Sequence, residues 1–297
     1  MNFIQILILG LVQGAAELLP VSSSAHVIVA EKLMGIDPSS PEATFLLVML
    51  HTGTMFAVIA YFWKSWGRDY FSDATTLVSV VINIAAATGL TLVVGLGLKF
   101  VIEHLILRGA PPAGASLQDV ATHKAAVEDL FRNLWLVGGA LFAAGVLIFY
   151  SGAREEKRPV EGDMNINKSL VIGAVQGLCL PFRGFSRSGA TISTGLILGV
   201  QRRVIEEFSF ALAVVLTPFA DGYELYRLVK AQKMTGVKLD YVALFTPGLI
   251  GMACAFVAGF LALILLSRLL ESGKWKFFGI YCFVAALAVF GLAFAGF

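Results

Sequence analysis

The chain has 297 residues, of which 58% are hydrophobic and only 14% charged. A soluble domain usually carries about 25% charged residues, so the composition excludes an ordinary soluble fold and indicates an all-α polytopic membrane protein. The net charge of +2, with no basic tract and no Gly-rich phosphate loop, gives no reason to expect nucleic acid or ATP as a partner.

The first apolar stretch, Phe3–Leu19, has no basic region ahead of it and runs straight into a polar one. It is therefore not expected to be a cleavable signal peptide. The polar run is Gln13-Gly-Ala-Ala-Glu17-Leu-Leu-Pro20-Val-Ser22-Ser23-Ser24-Ala-His26, and a second short apolar piece, Val27–Met34, follows it. About 20 apolar residues are needed to cross a bilayer. Phe45–Trp63, Leu77–Ile102 and Leu134–Tyr150 meet or approach that length. Between the last two, the Pro-containing stretch from Glu103 to Asn133 reads as a loosely ordered outer loop. The interruption then recurs: Leu170–Leu180 and Ala190–Val200 are apolar, with Pro181–Gly189 between them. Phe208–Ala220, Val242–Leu266 and Phe277–Phe294 complete the set. Cys179, Cys254 and Cys282 all lie in apolar segments without metal-ligand spacing and read as small core residues.

The two interrupted stretches match. Gly10-Leu-Val-Gln-Gly14 parallels Gly173-Ala-Val-Gln-Gly177, and each is followed by a proline, a serine cluster and a second short apolar piece. The expected architecture is one integral membrane domain, 1–297, made of two repeats of about 1–150 and 151–297. Each repeat is one re-entrant helix–loop–helix plus three transmembrane helices. Three crossings is odd, so the second repeat is inverted relative to the first. Paired broken segments in inverted halves point to a site at mid-membrane, where irregular backbone persists only in protein or along a cavity. Loop charge sets the expected orientation. Eleven Lys and Arg residues fall on the side of loops 64–76, 151–169, 201–207 and 267–276, against eight on the other. The richer side is expected in the cytoplasm, with both termini outside.

Glu17, His26, Arg183 and Arg187 sit in otherwise apolar sequence, where a charge costs roughly 2.5–3.5 kcal/mol on insertion scales and normally marks a functional cavity. A structural Glu17–Arg187 ion pair is the plainer alternative, but it leaves the serines and His26 unexplained. Gln13 and Glu17 share one helix face and can hold Mg²⁺ or Ca²⁺ if phosphate and water supply further oxygens. Ser22 and Ser23 lie where Pro20 breaks the helix, as caps or as part of an anion site. Ser186-Arg187-Ser188-Gly189-Ala190-Thr191 reads as an anion cradle, with the Arg187 guanidinium matched to phosphate oxygens. His51 and Thr52 read as interhelical packing and hydrogen bonding, and the pattern assigns no role to Asp221.

Together the two motifs resemble the bacterial undecaprenyl-diphosphate phosphatases linked to bacitracin resistance. The likeness rests on Gln13-x-x-x-Glu17 with Pro-Val-Ser-Ser and His26, on Gly-Phe-Ser186-Arg187-Ser188-Gly-Ala-Thr191-Ile, and on Glu207-Phe-Ser-Phe-Ala-Leu-Ala. It covers essentially the whole chain, with Arg183 standing where the family usually has Pro. The resemblance implies a divalent-cation-assisted hydrolysis of undecaprenyl diphosphate to undecaprenyl phosphate and phosphate, recycling the lipid carrier of cell-wall synthesis. It also implies a location in the bacterial cytoplasmic (inner) membrane, with a site open to the periplasmic face. Carried over by position, Gln13 and Glu17 hold the metal, and Arg187, Ser186, Ser188, Thr191 and Ser22 bind the diphosphate. Ser23 is then the nucleophile with His26 as its base. His26 itself, or metal-activated water, stands as an alternative nucleophile. Transport or flipping of a lipid phosphate by the same inverted-repeat fold is the competing function. A homodimer is compatible with the sequence without being required by it.

Overall fold

The computed structural model describes residues 1–36, 40–106, 133–157, 162–182, 184–235 and 241–296. The expected outer loop lies largely outside them, as does Arg183. Ten α-helices occur among the described residues. They are α1 (Phe3–Leu18), α2 (Ser23–Leu33), α3 (Pro41–Asp69), α4 (Ala74–Val101, continued by a π turn at Ile102–Ile106) and α5 (Leu134–Lys157). The second half contributes α6 (Ile166–Cys179), α7 (Arg187–Ile197), α8 (Arg202–Thr235), α9 (Tyr241–Glu271) and α10 (Lys276–Phe294). Helices α3, α4, α5, α9 and α10 are long and apolar enough to cross a membrane. The expected short span Phe208–Ala220 lies within the 34-residue helix α8.

Local sequence explains where the short helices begin and end. Asn2 and Gln5 form a reciprocal capping box at the start of α1, with Gln5 N–H donating to Asn2 Oδ1 (2.9 Å) and Asn2 N–H to Gln5 Oε1 (2.8 Å). The helix stops at Leu18 because Leu19, extended at ψ 149°, precedes Pro20, and a residue before proline is driven out of the helical region. Helix α7 is capped by Ser186, whose hydroxyl accepts from Gly189 N–H (3.2 Å). Gly184 precedes it at φ +107°, a conformation open to glycine. A Cβ there would also lie 2.3 Å from Val137 O.

The matched glycines serve packing. Helix α1 lies against α9, and α6 against α4, each short helix docking on a long helix of the other half. A Cβ on Gly14 would sit 2.6 Å from Ala255 O, and one on Gly173 would sit 2.3 Å from Ala87 O. The Gly-x-x-x-Gly run in each half is thus the small-residue face on which two backbones approach. Gln13 and Gln176, between those glycines, are both buried. Helices α5 and α10 pack on each other, as do α3 and α8, so the two halves are interlocked rather than side by side.

Candidate active site

The broken ends meet at Glu17. This residue ends the last turn of α1, and three side chains donate to its carboxylate. Arg187 Nη2 reaches Oε1 at 2.8 Å. Ser23 Oγ and Gln13 Nε2 reach Oε2 at 2.5 and 3.1 Å. Gln13 does so because four residues return a helix to the same face. Ser23 and Arg187 are the first residues of α2 and α7. The same position in each half therefore delivers a donor to one carboxylate. Two helix N-termini, each with a partial positive charge, converge there as well. The Glu17 and Arg187 side chains keep 16% and 22% of their surface exposed, so the pair borders open space instead of being sealed in a core.

The two halves are not equivalent at this point. Four residues after Gln176, where Glu17 has its counterpart, stands Leu180, packed toward Gly95. Gln176 instead donates to Thr91 Oγ1 (3.2 Å), which donates to Gly173 O (2.9 Å). The second short helix pair has a structural polar lock where the first has a carboxylate.

The other expected residues fall at different distances from this centre. Ser22, at φ +65° and ψ 92°, holds a left-handed conformation that costs on the order of 1–3 kcal/mol and tends to mark functional sites. Its side chain makes no capping bond, but its carbonyl accepts from His26 Nδ1 at 2.8 Å. A carbonyl only accepts, so the Nδ1–H tautomer is fixed in the neutral ring, and Tyr281 O–H donates to Nε2 at 2.8 Å. The two rings stack, with centroids 5.8 Å apart. Both His26 nitrogens are thus engaged away from Ser23, and the hydrogen bond expected between a base and its nucleophile is not formed. The acceptor at the Ser23 hydroxyl is Glu17. Ser188 is buried and its hydroxyl reaches Leu19 O (3.3 Å), tying α7 to the turn after α1. Thr191 is fully buried and bonds to Arg187 O (2.9 Å) and Ser209 Oγ (2.6 Å). Ser186 caps α7 as an acceptor. Of the expected anion ligands, Arg187 is the one that faces Glu17 directly.

His51, Asp221 and Tyr281, at or beside the centre, escaped the sequence reading as site residues. His51 of α3 stands with Nε2 3.8 Å from Glu17 Oε2 and Nδ1 3.8 Å from Asp221 Oδ1 on α8. Thr52 Oγ1 donates to Asp221 Oδ2 at 3.3 Å. Tyr281, on α10, holds His26. The only signal for the first two was polarity inside long apolar helices, which interhelical packing explains equally well. His26 and Tyr281 border an apolar cavity of about 390 Å³, walled by Val12, Ala16, Leu19, Leu269 and Phe278. Among the described residues, no three His, Cys, Asp or Glu side chains are grouped to hold a metal ion.

The family model described as Bacitracin resistance protein BacA matches residues 6–288. Undecaprenyl-diphosphatase 2 of Acinetobacter baylyi is 51% identical over 295 residues, covering 99% of each chain. An undecaprenyl-diphosphatase of Desulfosudis oleivorans is 34% identical over 96% of each chain. Another, of Renibacterium salmoninarum, is 31% identical over 98% of this chain and 96% of its own. Both polar motifs and all ten described helices, except the first residues of α1 and the last of α10, fall inside the matched span. The chain belongs to the Bacitracin resistance protein BacA family.

Proposed function

We propose that this protein is an undecaprenyl-diphosphate phosphatase of the bacterial inner membrane, releasing inorganic phosphate and undecaprenyl phosphate for reuse in cell-wall synthesis. The observation that carries the reading is the Glu17–Arg187–Ser23 cluster, made by two helix breaks 170 residues apart in sequence. Full-length similarity to proteins named undecaprenyl-diphosphatase supports the same substrate.

Each half is a re-entrant helix pair, α1–α2 or α6–α7, followed by three spanning helices, and the second half is inverted. The exchanged docking of α1 on α9 and of α6 on α4 supports this. The basic loops face the cytoplasm. Both termini and the mouth of the site then face the periplasm, while the prenyl chain remains among the apolar helices.

In the reaction, Arg187 clamps the terminal phosphate with the donors that Glu17 leaves free. Ser23 Oγ attacks that phosphorus and gives its proton to Glu17, the group it already faces. The bond from phosphorus to the bridging oxygen breaks and undecaprenyl phosphate departs. Water then attacks the phosphoserine and phosphate is freed, while Glu17 returns its proton to the departing Ser23 Oγ and restores the hydroxyl. Once substrate displaces Tyr281 from Nε2, His26 takes up a proton from solvent there and, as the imidazolium, gives it to the departing oxygen. Ser22 supplies a hydroxyl at the strained turn, and Ser186, Ser188 and Thr191 hold the α7 N-terminus in place.

Mg²⁺ or Ca²⁺ fits the oxygen donors of Glu17 and Gln13, provided the diphosphate completes the shell, since the described residues form no ready-made cage. When bound, such an ion neutralises charge on the diphosphate.

Phosphate release by the purified protein, with long and short prenyl diphosphates and with and without chelator, tests the reading. Turnover should be chelator-sensitive and abolished in Glu17→Ala and Arg187→Ala. Wild-type turnover in both folded variants would sink the site assignment.

A further inference from the structure

The imidazole of His51 lies between two carboxylates, and packing alone does not explain that placement. Asp221 Oδ1 faces Nδ1 and Glu17 Oε2 faces Nε2, each at 3.8 Å. Both gaps exceed hydrogen-bond length and lie within the range of an ion pair. Asp221 is buried at 8% exposure and is steered from its other oxygen by Thr52. With a cation held at Glu17, the Asp221 carboxylate keeps the imidazole proton on Nδ1, and the lone pair of Nε2 is turned toward Glu17. This is the carboxylate–histidine arrangement that orients an imidazole as a metal ligand. The 3.8 Å between Nε2 and Glu17 Oε2 is less than twice the ~2.0–2.2 Å of a metal–nitrogen or metal–oxygen bond, so one ion can touch both atoms.

We propose that His51 Nε2 is a direct ligand of the divalent cation held at Glu17, with Asp221 and Thr52 as the residues that position it. This rests on the phosphatase reading of the site. The protein then offers a mixed nitrogen and oxygen donor set from α1 and α3, and the diphosphate and water complete it. An imidazole ligand favours first-row transition metals over Ca²⁺. The site should therefore take Mn²⁺ in preference to Ca²⁺, although Gln13 and Glu17 alone give no such preference. Asp221 touches no reacting atom in this scheme. It acts through His51, as outer partners of metal-bound histidines do, and its loss should weaken metal binding about 10–100-fold.

The test uses purified full-length protein in detergent, loaded with Mn²⁺ and inorganic pyrophosphate. Electron spin-echo envelope modulation reads nitrogen bound directly to the manganese. Wild type and His26→Gln should both show the directly coordinated imidazole signal, and His51→Gln should lose it. Asp221→Asn should keep the signal while its Mn²⁺ affinity falls 10–100-fold. A second arm measures phosphate release from undecaprenyl diphosphate on the same samples. Bound Mn²⁺ without a nitrogen signal in wild type overturns the His51 proposal, whatever the turnover. Failure of wild type to bind Mn²⁺ overturns it too, as does a signal that survives in His51→Gln. A His51-dependent signal with no phosphate release supports the ligand and overturns the phosphatase reading.

Discussion

Replacing Arg187 by Ala separates a catalytic clamp from a structural ion pair. Arg187 Nη2 lies 2.8 Å from Glu17 Oε1, and the two side chains are 22% and 16% exposed. Removing one partner of a buried pair typically costs about 3–5 kcal/mol. Partial exposure, and the donors that Ser23 and Gln13 still offer Glu17, place this case near about 3 kcal/mol. If Arg187 also makes two charge-assisted bonds to phosphate, at about 1.5–3 kcal/mol each, kcat/KM should fall by a further factor of roughly 10²–10⁴. Stability and activity therefore need separate readouts: a thermal melt in detergent and a phosphate-release assay at a temperature where both proteins are folded. The double variant Glu17→Leu/Arg187→Leu makes the distinction. Replacing both members of a buried pair with apolar groups is often neutral or stabilising, so its Tm should return near wild type while turnover stays abolished. A stable double variant that still hydrolyses the lipid would refute the assignment of this pair to the catalytic centre.

Ser23→Ala should lower turnover by on the order of 10³ or more, as loss of a nucleophile does. It should also abolish a phosphoserine trapped by acid quench of the wild type with labelled substrate. If labelled phosphate is instead trapped on His26, the nucleophile assignment is wrong. Tyr281→Phe removes one hydrogen bond to His26, worth about 0.5–1.5 kcal/mol. Because substrate has to displace that bond, its loss should lower KM by about 2–12-fold, with kcat little changed. Gly14→Val places a Cβ 2.6 Å from Ala255 O, and overpacking of this kind costs about 1–3 kcal/mol. Its Tm should fall clearly, whereas Gly89→Ala, where a Cβ would meet nothing within 4 Å, should leave Tm near wild type.

The breaks were legible because Pro20 and Pro181 interrupt apolar sequence and serines follow each one. The helices end or begin within a few residues of where those signals predict. The meeting of Glu17 with Arg187 was legible because the Gly-x-x-Gln-Gly runs identify corresponding positions in the two halves. The fate of His51 was not. A single imidazole in a 29-residue helix faces lipid, a neighbour or a site according to the rotation of that helix. The rotation of α3 depends on its contact with α9, where a Cβ on Gly53 would sit 2.3 Å from Met252 O. Asp221 depends in the same way on how α8 crosses α3. Tyr281 meets His26 across 255 residues, and no repeat or motif relates them. The serine cluster was legible as composition only. Ser186 and Thr191 have the composition of an anion site, yet the hydroxyl of Ser186 caps its own helix and that of Thr191 bonds to the α7 backbone and to Ser209. Composition does not distinguish a hydroxyl that binds ligand from one that holds the backbone that does.

The most direct measurement reconstitutes the purified protein into vesicles with undecaprenyl diphosphate and follows phosphate release and movement of the lipid between leaflets in the same sample. The account predicts one phosphate and one undecaprenyl phosphate for each diphosphate consumed, with turnover lost in Glu17→Ala. Movement of intact diphosphate lipid across the bilayer, without phosphate release, would contradict it and assign the same cluster to transport.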